Sequence, residues 1–320
     1  MIFEKQILDV YKGMMHTRCD DDGTAFYFSA NDFDGLIAEP LSFSSVSGNM
    51  LQGYLYYYGK AIPERIIIFD HGFGGGHRAY MTEIEKLCEH GYQVFAYDHT
   101  GCMESEGESS NGMAQSLSDL NDCISFIQKM DRFRGYDISV MGHSWGGFST
   151  LNISALHPEI SRVVVLSGFV SVELLVNDFF SGLLKGYRSA ILDFEKKANP
   201  IFVGFNAVES LSQSKAKALL IYSDNDKMVR KSQFEVLRSG LSRKANVKFR
   251  LEHNKGHNPN YTEDAVNYLN QYLADKKKLL KKKKLVSEEE KSSFLASYDW
   301  KRMTKQDENV WQEIFDFLDN

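Results

Sequence analysis

Five short runs, apolar at almost every position, constrain this chain most. They are Ile66-Ile67-Ile68-Phe69, Val94-Phe95-Ala96-Tyr97, Ile138-Ser139-Val140-Met141, Val163-Val164-Val165-Leu166 and Ala218-Leu219-Leu220-Ile221-Tyr222. A strand covered on one face alternates apolar and polar residues. A strand covered on both faces reads as a continuous apolar run, as parallel strands do. Between the runs the period changes. Tyr80, Ile84, Leu87 and Cys88 share one helical face, and Leu117, Leu120, Ile124 and Ile127 share another. Alternating strands and helices predict an α/β fold, a mostly parallel twisted sheet with helices on both faces. Val247 to His253 alternates and predicts a last strand. Phe43 to Tyr58 alternates around Ser47-Gly48-Asn49 and predicts a β-hairpin. Ile2 to Met15 suits a surface helix, and Asp20-Asp21-Asp22-Gly23 a turn.

Two regions interrupt this rhythm. Residues 169–215 carry Leu174-Leu175, Phe179-Phe180, Leu183-Leu184, Ile191 and Phe194 at roughly helical spacing and are expected to form a helical cap. Phe169, Phe202 and Phe205 add to this apolar set, at least half of which is expected to be the cap's own core. Residues 261–303 are expected to be a helical insertion. Thr262 caps a helix reaching Leu273, and the seven lysines between Lys276 and Lys284 lead to Glu288-Glu289-Glu290. That run reads as a solvated, charge-paired helix rather than a surface for anions. Thr304-x-x-Asp307 nearly matches a capping box and is expected to open a closing helix, 304–319, with Val310, Trp311, Ile314, Phe315 and Leu318 on one face. The expected organisation is a single domain, 1–320.

The totals exclude several classes. A formal charge of −6 argues against nucleic acid as a partner. Cys19, Cys88, Cys102 and Cys123 show neither zinc spacing nor a disulfide framework. No pair of histidines has metal-ligand spacing, and His77, His90, His99 and His157 carry no pattern, so no metal and no cofactor are expected. No apolar run is long enough to span a membrane. Met1-Ile2-Phe3-Glu4-Lys5 lacks the plan of a signal peptide, which makes a cytoplasmic protein the expectation. Oligomeric state is not legible.

The chemistry begins at Gly142-His143-Ser144-Trp145-Gly146, between the third run and an apolar, small-residue helix. Gly-x-Ser-x-Gly there is a nucleophile-elbow pattern, in which a strained turn lifts the serine hydroxyl toward a helix N-terminus. A serine needs a base, and the base an orienting group. Sites on open parallel sheets form at the carboxyl ends of strands. There the fifth run offers Asp224 and Asp226, and the last strand offers His253 and His257. His253 continues the strand alternation, whereas His257 follows a glycine in a loop.

Together these motifs resemble the α/β-hydrolase superfamily, nearest to its cytoplasmic esterase-like members. His71-Gly72-Phe73-Gly74-Gly75-Gly76 resembles its oxyanion loop. Asp98-x-Thr100-Gly101-x-Met103-x-Ser105 resembles its D-x-R-G-x-G-x-S loop, with Thr and Met at the usual Arg and Gly positions. Asp226-x-x-Val229 and Gly256-His257 resemble its acid and base loops. The resemblance implies Ser144 as nucleophile, His257 as general base and Asp226 as its orienting acid. It also implies backbone N–H groups of Phe73 and Trp145 as the oxyanion hole. His71 and His143 are expected to be structural, and Asp98 to hold its own loop. The implied activity is a serine hydrolase cleaving a carboxylic ester or thioester of a small apolar or aromatic acyl group, its partner a small-molecule acyl substrate. The alternatives are a peptidase of the prolyl-oligopeptidase type, for which the stretch before Arg65 is short, and a non-catalytic ligand-binding relative.

Overall fold

A computed structural model describes residues 3–320. Of the expected N-terminal helix, Ile2 lies outside the described residues; the helix α1 runs Glu4–Met15. The sheet has eight strands: β1 Ile37–Ser44, β2 Met50–Tyr57, β3 Arg65–Asp70, β4 Gln93–Tyr97, β5 Asp137–His143, β6 Arg162–Leu166, β7 Lys217–Ser223 and β8 Val247–Glu252. Their spatial order is β1-β2-β4-β3-β5-β6-β7-β8. The hairpin β1–β2 is antiparallel, with Ser44 opposite Met50, and β2 joins β4 antiparallel. From β4 to β8 every pairing is parallel.

The all-apolar runs have a direct cause. Ile66, Ile68, Val140, Val163, Val165 and Leu220 face one hydrophobic layer, while Ile67, Phe69, Met141, Val164, Leu166 and Leu219 face the other. Each such side chain contributes roughly 1.5–3 kcal/mol over leaving it in water. Helices α3 (Gln115–Lys129), α4 (Ser144–Asn152) and α8 (Lys231–Gly240) cover the first layer. Helix α2 (Met81–Glu89) covers the second together with the last helix, α12 (Glu308–Asp319), which sets Val310, Trp311, Ile314, Phe317 and Leu318 against the sheet.

Between β6 and β7 lie α5 (Val172–Phe179), α6 (Arg188–Ala198) and α7 (Ala207–Gln213). Phe169, Leu175 and Phe202 are buried there, with Phe169 stacked on Phe148 at 4.6 Å. Leu183 is 99% exposed, so it is neither core nor wall. Glu195 of α6 is fully buried. Its carboxylate accepts hydrogen bonds from the Tyr11 hydroxyl (2.7 Å), the His16 ring (2.7 Å) and the Met113 backbone N–H (2.9 Å), tying this segment to the N-terminal helix.

Two expectations for the C-terminal region change. The helix capped by Thr262 does not stop at Leu273: α9 runs Glu263–Lys281, because lysines are good helix formers and the last turn favours cations. Lys276 pairs with Asp22 and Lys284 with Glu290. After α10 (Glu288–Ala296), Thr304 does not open the final helix. Its hydroxyl donates to Trp300 O, closing the short α11 (Trp300–Met303), and Asp307 caps α12 through Asn309 N–H. No helix is long and apolar enough to cross a membrane among the described residues.

Candidate active site

Strand β3 lies between β4 and β5, so the chain leaves it in one direction and returns on its other side. A crevice opens outside the carboxyl ends of strands at such a switch point. The loop 71–76 leaves β3 there, and Ser144 follows β5 at the first residue of α4. Ser144 has φ +55°, the left-handed strain expected of an elbow. Only glycine fits on either side: a Cβ on Gly142 would run into Thr150 Oγ1 and Gly146 O, and one on Gly146 into the backbone of Asp70. The Ser144 hydroxyl is part-exposed and has no hydrogen-bond partner among the described residues.

His257 Nδ1–H donates to Asp226 Oδ2 at 2.7 Å. The other oxygen of Asp226 accepts from the N–H groups of Met228 (2.7 Å) and Val229 (3.1 Å), so the carboxylate is fixed as an acceptor. The Asp226 side chain is 1% exposed and that of His257 23%. The competing residues also find each other. His253 Nδ1 meets Asp224 Oδ2 at 2.6 Å, but the His253 side chain is 78% exposed. Two acid–histidine pairs therefore lie side by side, and only one is desolvated. The loop bearing His257 is held by Lys255, whose ammonium donates to Tyr261 O and Asp307 Oδ2, both at 2.6 Å. The N-cap of the last helix thus anchors this loop, a link with no sequence signal.

His143 couples the elbow to both neighbouring loops. Its Nε2–H donates to His257 O at 2.7 Å, and its ring lies 4.6 Å from that of His257. Its Nδ1 accepts from the Tyr80 hydroxyl (2.8 Å), whose oxygen accepts from Gly72 N–H (3.1 Å). Burial, and then the neighbouring His257, lower the His143 imidazole to about 3, so it stays neutral and this pattern holds. Sequence reading missed Tyr80, which has no motif of its own. Its replacement in Tyr80→Phe is expected to leave Gly72 N–H unpaired and to lower unfolding stability by about 1–3 kcal/mol, measurable by urea titration.

Trp145 follows Ser144. Its ring is buried, its indole N–H donates to Met113 O at 2.8 Å, and it meets the Phe73 ring at 5.2 Å. Trp145 lies in the first turn of α4, where helix N–H groups lack helical partners. Under Trp145 lies a buried charge cluster. His99 Nε2 is 3.1 Å from Asp70 and its Nδ1 3.3 Å from Asp119. Tyr97 and Ser149 donate to Asp70, and Thr100 to Asp119. His71 donates to Gly72 O and accepts from His99 N–H, which fixes the 71–76 loop from below. In the 98–105 loop, Asp98 accepts from both N–H groups of His77 and from Glu104 N–H, and Ser105 donates to Asp98 O. Met103 takes φ +44°, so the loop keeps a left-handed turn without glycine.

Among the described residues no group of three or more His, Cys, Asp or Glu is arranged to hold a metal ion. Residues 65–261 match the family model described as alpha/beta hydrolase fold. The monoglyceride lipase of Mus musculus is 28% identical over 43% of this chain and 45% of its own length. The proline iminopeptidase of Clostridioides difficile is 25% identical over 31% of this chain and 36% of its own. The matches thus span less than half the length of these curated relatives. A solved esterase of Pyrococcus furiosus superposes with TM-score 0.60 at 16% identity, covering 84% of this chain and 96% of that one, a likeness of fold alone.

Proposed function

The chain belongs to the alpha/beta hydrolase fold family, and on that premise we propose that it is a serine hydrolase acting on a carboxylic ester or thioester of a small apolar or aromatic acyl group. The observation that carries this reading is the desolvated Asp226–His257 pair, joined through His143 to the elbow that presents Ser144. His257 Nε2 takes the Ser144 proton as Oγ attacks the acyl carbon. The imidazolium that forms is held by Asp226, whose remaining oxygen is already occupied by two backbone N–H groups. The oxyanion is received by the N–H groups of Phe73 and Trp145, each such donor being worth about 3–4 kcal/mol of barrier in comparable sites. His257 then protonates the leaving alkoxide or thiolate. In the second half it activates water against the acyl-serine. The Ser144–His257 hydrogen bond closes on substrate binding, as catalytic bonds often do.

Residues 169–215 act as the cap that bounds the acyl pocket, with Leu174, Phe179 and Phe205 only partly buried, while Phe180 and Phe194 pack on Tyr11 and His16. The lipase relative supports an ester substrate. The proline iminopeptidase relative favours one competing reading, a peptidase. The deciding experiment combines a fluorophosphonate probe with p-nitrophenyl esters of increasing chain length and proline p-nitroanilide. One covalent label per chain with ester turnover is expected. No label and no turnover overturns the proposal, and turnover of the anilide in preference to every ester replaces it with the peptidase reading.

A further inference from the structure

Cys19 and Cys102 come from segments far apart in the chain and meet as direct partners. They form an isolated parallel β-bridge, with Cys19 N–H donating to Gly101 O (2.8 Å) and Met103 N–H to Cys19 O (2.9 Å). Bridge partners on neighbouring extended segments lie about 4.7–4.9 Å apart and project side chains to the same face. That separation falls inside the 4.4–6.8 Å range of Cα distances that a disulfide spans. The surroundings keep the register from slipping. Arg18 donates to Ser105 O (2.9 Å), Gly107 O (2.9 Å) and Met103 O (2.6 Å), and Ser110 N–H donates to Thr17 O (3.1 Å). The segment 17–20 is therefore laid along the 101–110 loop by bonds on both sides of Cys19. Both thiols are free.

We propose that Cys19 and Cys102 are an oxidisable pair that closes to a disulfide under a hydroperoxide, pinning the N-terminal segment to the 98–107 loop beneath the candidate active site. Contact with Cys102 lowers the Cys19 thiol, and the same contact with burial pushes Cys102 well up, so Cys19 is the first to react. Cys19 is 8% exposed, and its chain neighbour Asp20 lines a hollow together with Tyr27, Arg78, Asp98, Met103 and Glu104. The Cys19 thiolate attacks one peroxide oxygen, the O–O bond breaks and, with one proton, a first water or alcohol leaves. Cys19 is then a sulfenic acid. The Cys102 sulfur attacks the Cys19 sulfur, the S–O bond breaks, and the Cys102 proton leaves with the hydroxide as water. Two thiols are oxidised and one hydroperoxide is reduced. Cys88 and Cys123 are built-in controls. Cys88 belongs to the opposite layer, and burial pushes both of these thiols up, with no cysteine among the groups acting on either.

The test uses the full chain and needs no substrate. After hydrogen peroxide, the protein is unfolded in urea, free thiols are blocked with iodoacetamide, the protein is digested without reductant and the peptides are mapped by mass. The expected result is a Cys19–Cys102 peptide lacking two hydrogens, alkylation confined to Cys88 and Cys123, and a Tm higher by roughly 5–10 °C that dithiothreitol reverses. Cys102→Ser is expected to stop at a dimedone-reactive sulfenic acid on Cys19. The wild-type map decides the matter even if that variant folds poorly. Four alkylated cysteines after peroxide, a bridge to Cys88 or Cys123 or between chains, or a sulfinic Cys19 beside an unreacted Cys102 would each overturn the proposal.

Discussion

Ser144→Ala is expected to eliminate fluorophosphonate labelling and to reduce ester turnover by about 10⁶-fold, while the unfolding transition stays within about 0.5 kcal/mol of wild type. The two halves of this expectation have different causes. On the proposed mechanism the loss of turnover follows from removing the attacking atom, after which Asp226, His257 and the N–H groups of Phe73 and Trp145 would have no nucleophile to serve. The preserved stability follows from the hydroxyl's lack of hydrogen-bond partners among the described residues. The variant leaves no buried group unpaired, and alanine meets the same left-handed φ of +55° as serine. Equal labelling of wild type and Ser144→Ala would place the reactive serine elsewhere and sink the assignment. Loss of the label together with a collapsed unfolding transition would be uninformative about chemistry, so the melting curve is measured on the same preparation.

What could be read in advance follows physical lines. Residues that meet solvent or core according to their own position in a strand or helix were legible. Ile66 to Phe69 is apolar throughout because alternate residues enter opposite layers, and one strand is enough to predict both. The elbow was legible because its glycines and serine form a local pattern, with Gly142 demanded by Thr150 and Gly146 a few residues on, although Gly146 is demanded by Asp70 on the neighbouring strand. The preference for Asp226 over Asp224 came only from the family resemblance, whereas that for His257 over His253 also came from the strand alternation that His253 continues. Each acid pairs with one histidine at almost the same distance, and burial distinguishes the pairs. The roles of Tyr80, Lys255 and His99 at the site were not legible. Each acts by reaching across to another element, and nothing in the local pattern records what stands opposite. Thr304 misled for the opposite reason: its local pattern is good, but Trp300 O lies closer to hand than the expected helix start.

The largest stability effect is expected at His99, a residue without any sequence pattern. Its ring is fully buried between Asp70 and Asp119, both also buried. Burial alone would lower the imidazole, but the two carboxylates outweigh it and carry it up to about 10. The cation so favoured faces both carboxylates at ion-pair distance, with neither ring nitrogen in hydrogen-bond geometry. His99→Ala removes it and leaves them uncompensated, which is expected to cost roughly 3–5 kcal/mol at pH 7. The pH dependence has a definite sign. A group raised from about 6.5 when unfolded to about 10 when folded contributes fully below pH 6.5, and that contribution is lost as pH rises through 10. Wild-type stability is therefore expected to fall between pH 7 and pH 10, and the gap between wild type and His99→Ala to narrow over the same range. Urea titrations of both proteins at pH 7, 8.5 and 9.5 check this. A difference under about 1 kcal/mol at pH 7, or a gap that widens with pH, would show that His99 is held neutral. The cluster also reaches the chemistry. His99 N–H supports His71, and its ring lies 4.7 Å from Trp145, so the buried cluster underlies both the 71–76 loop and the residue after Ser144.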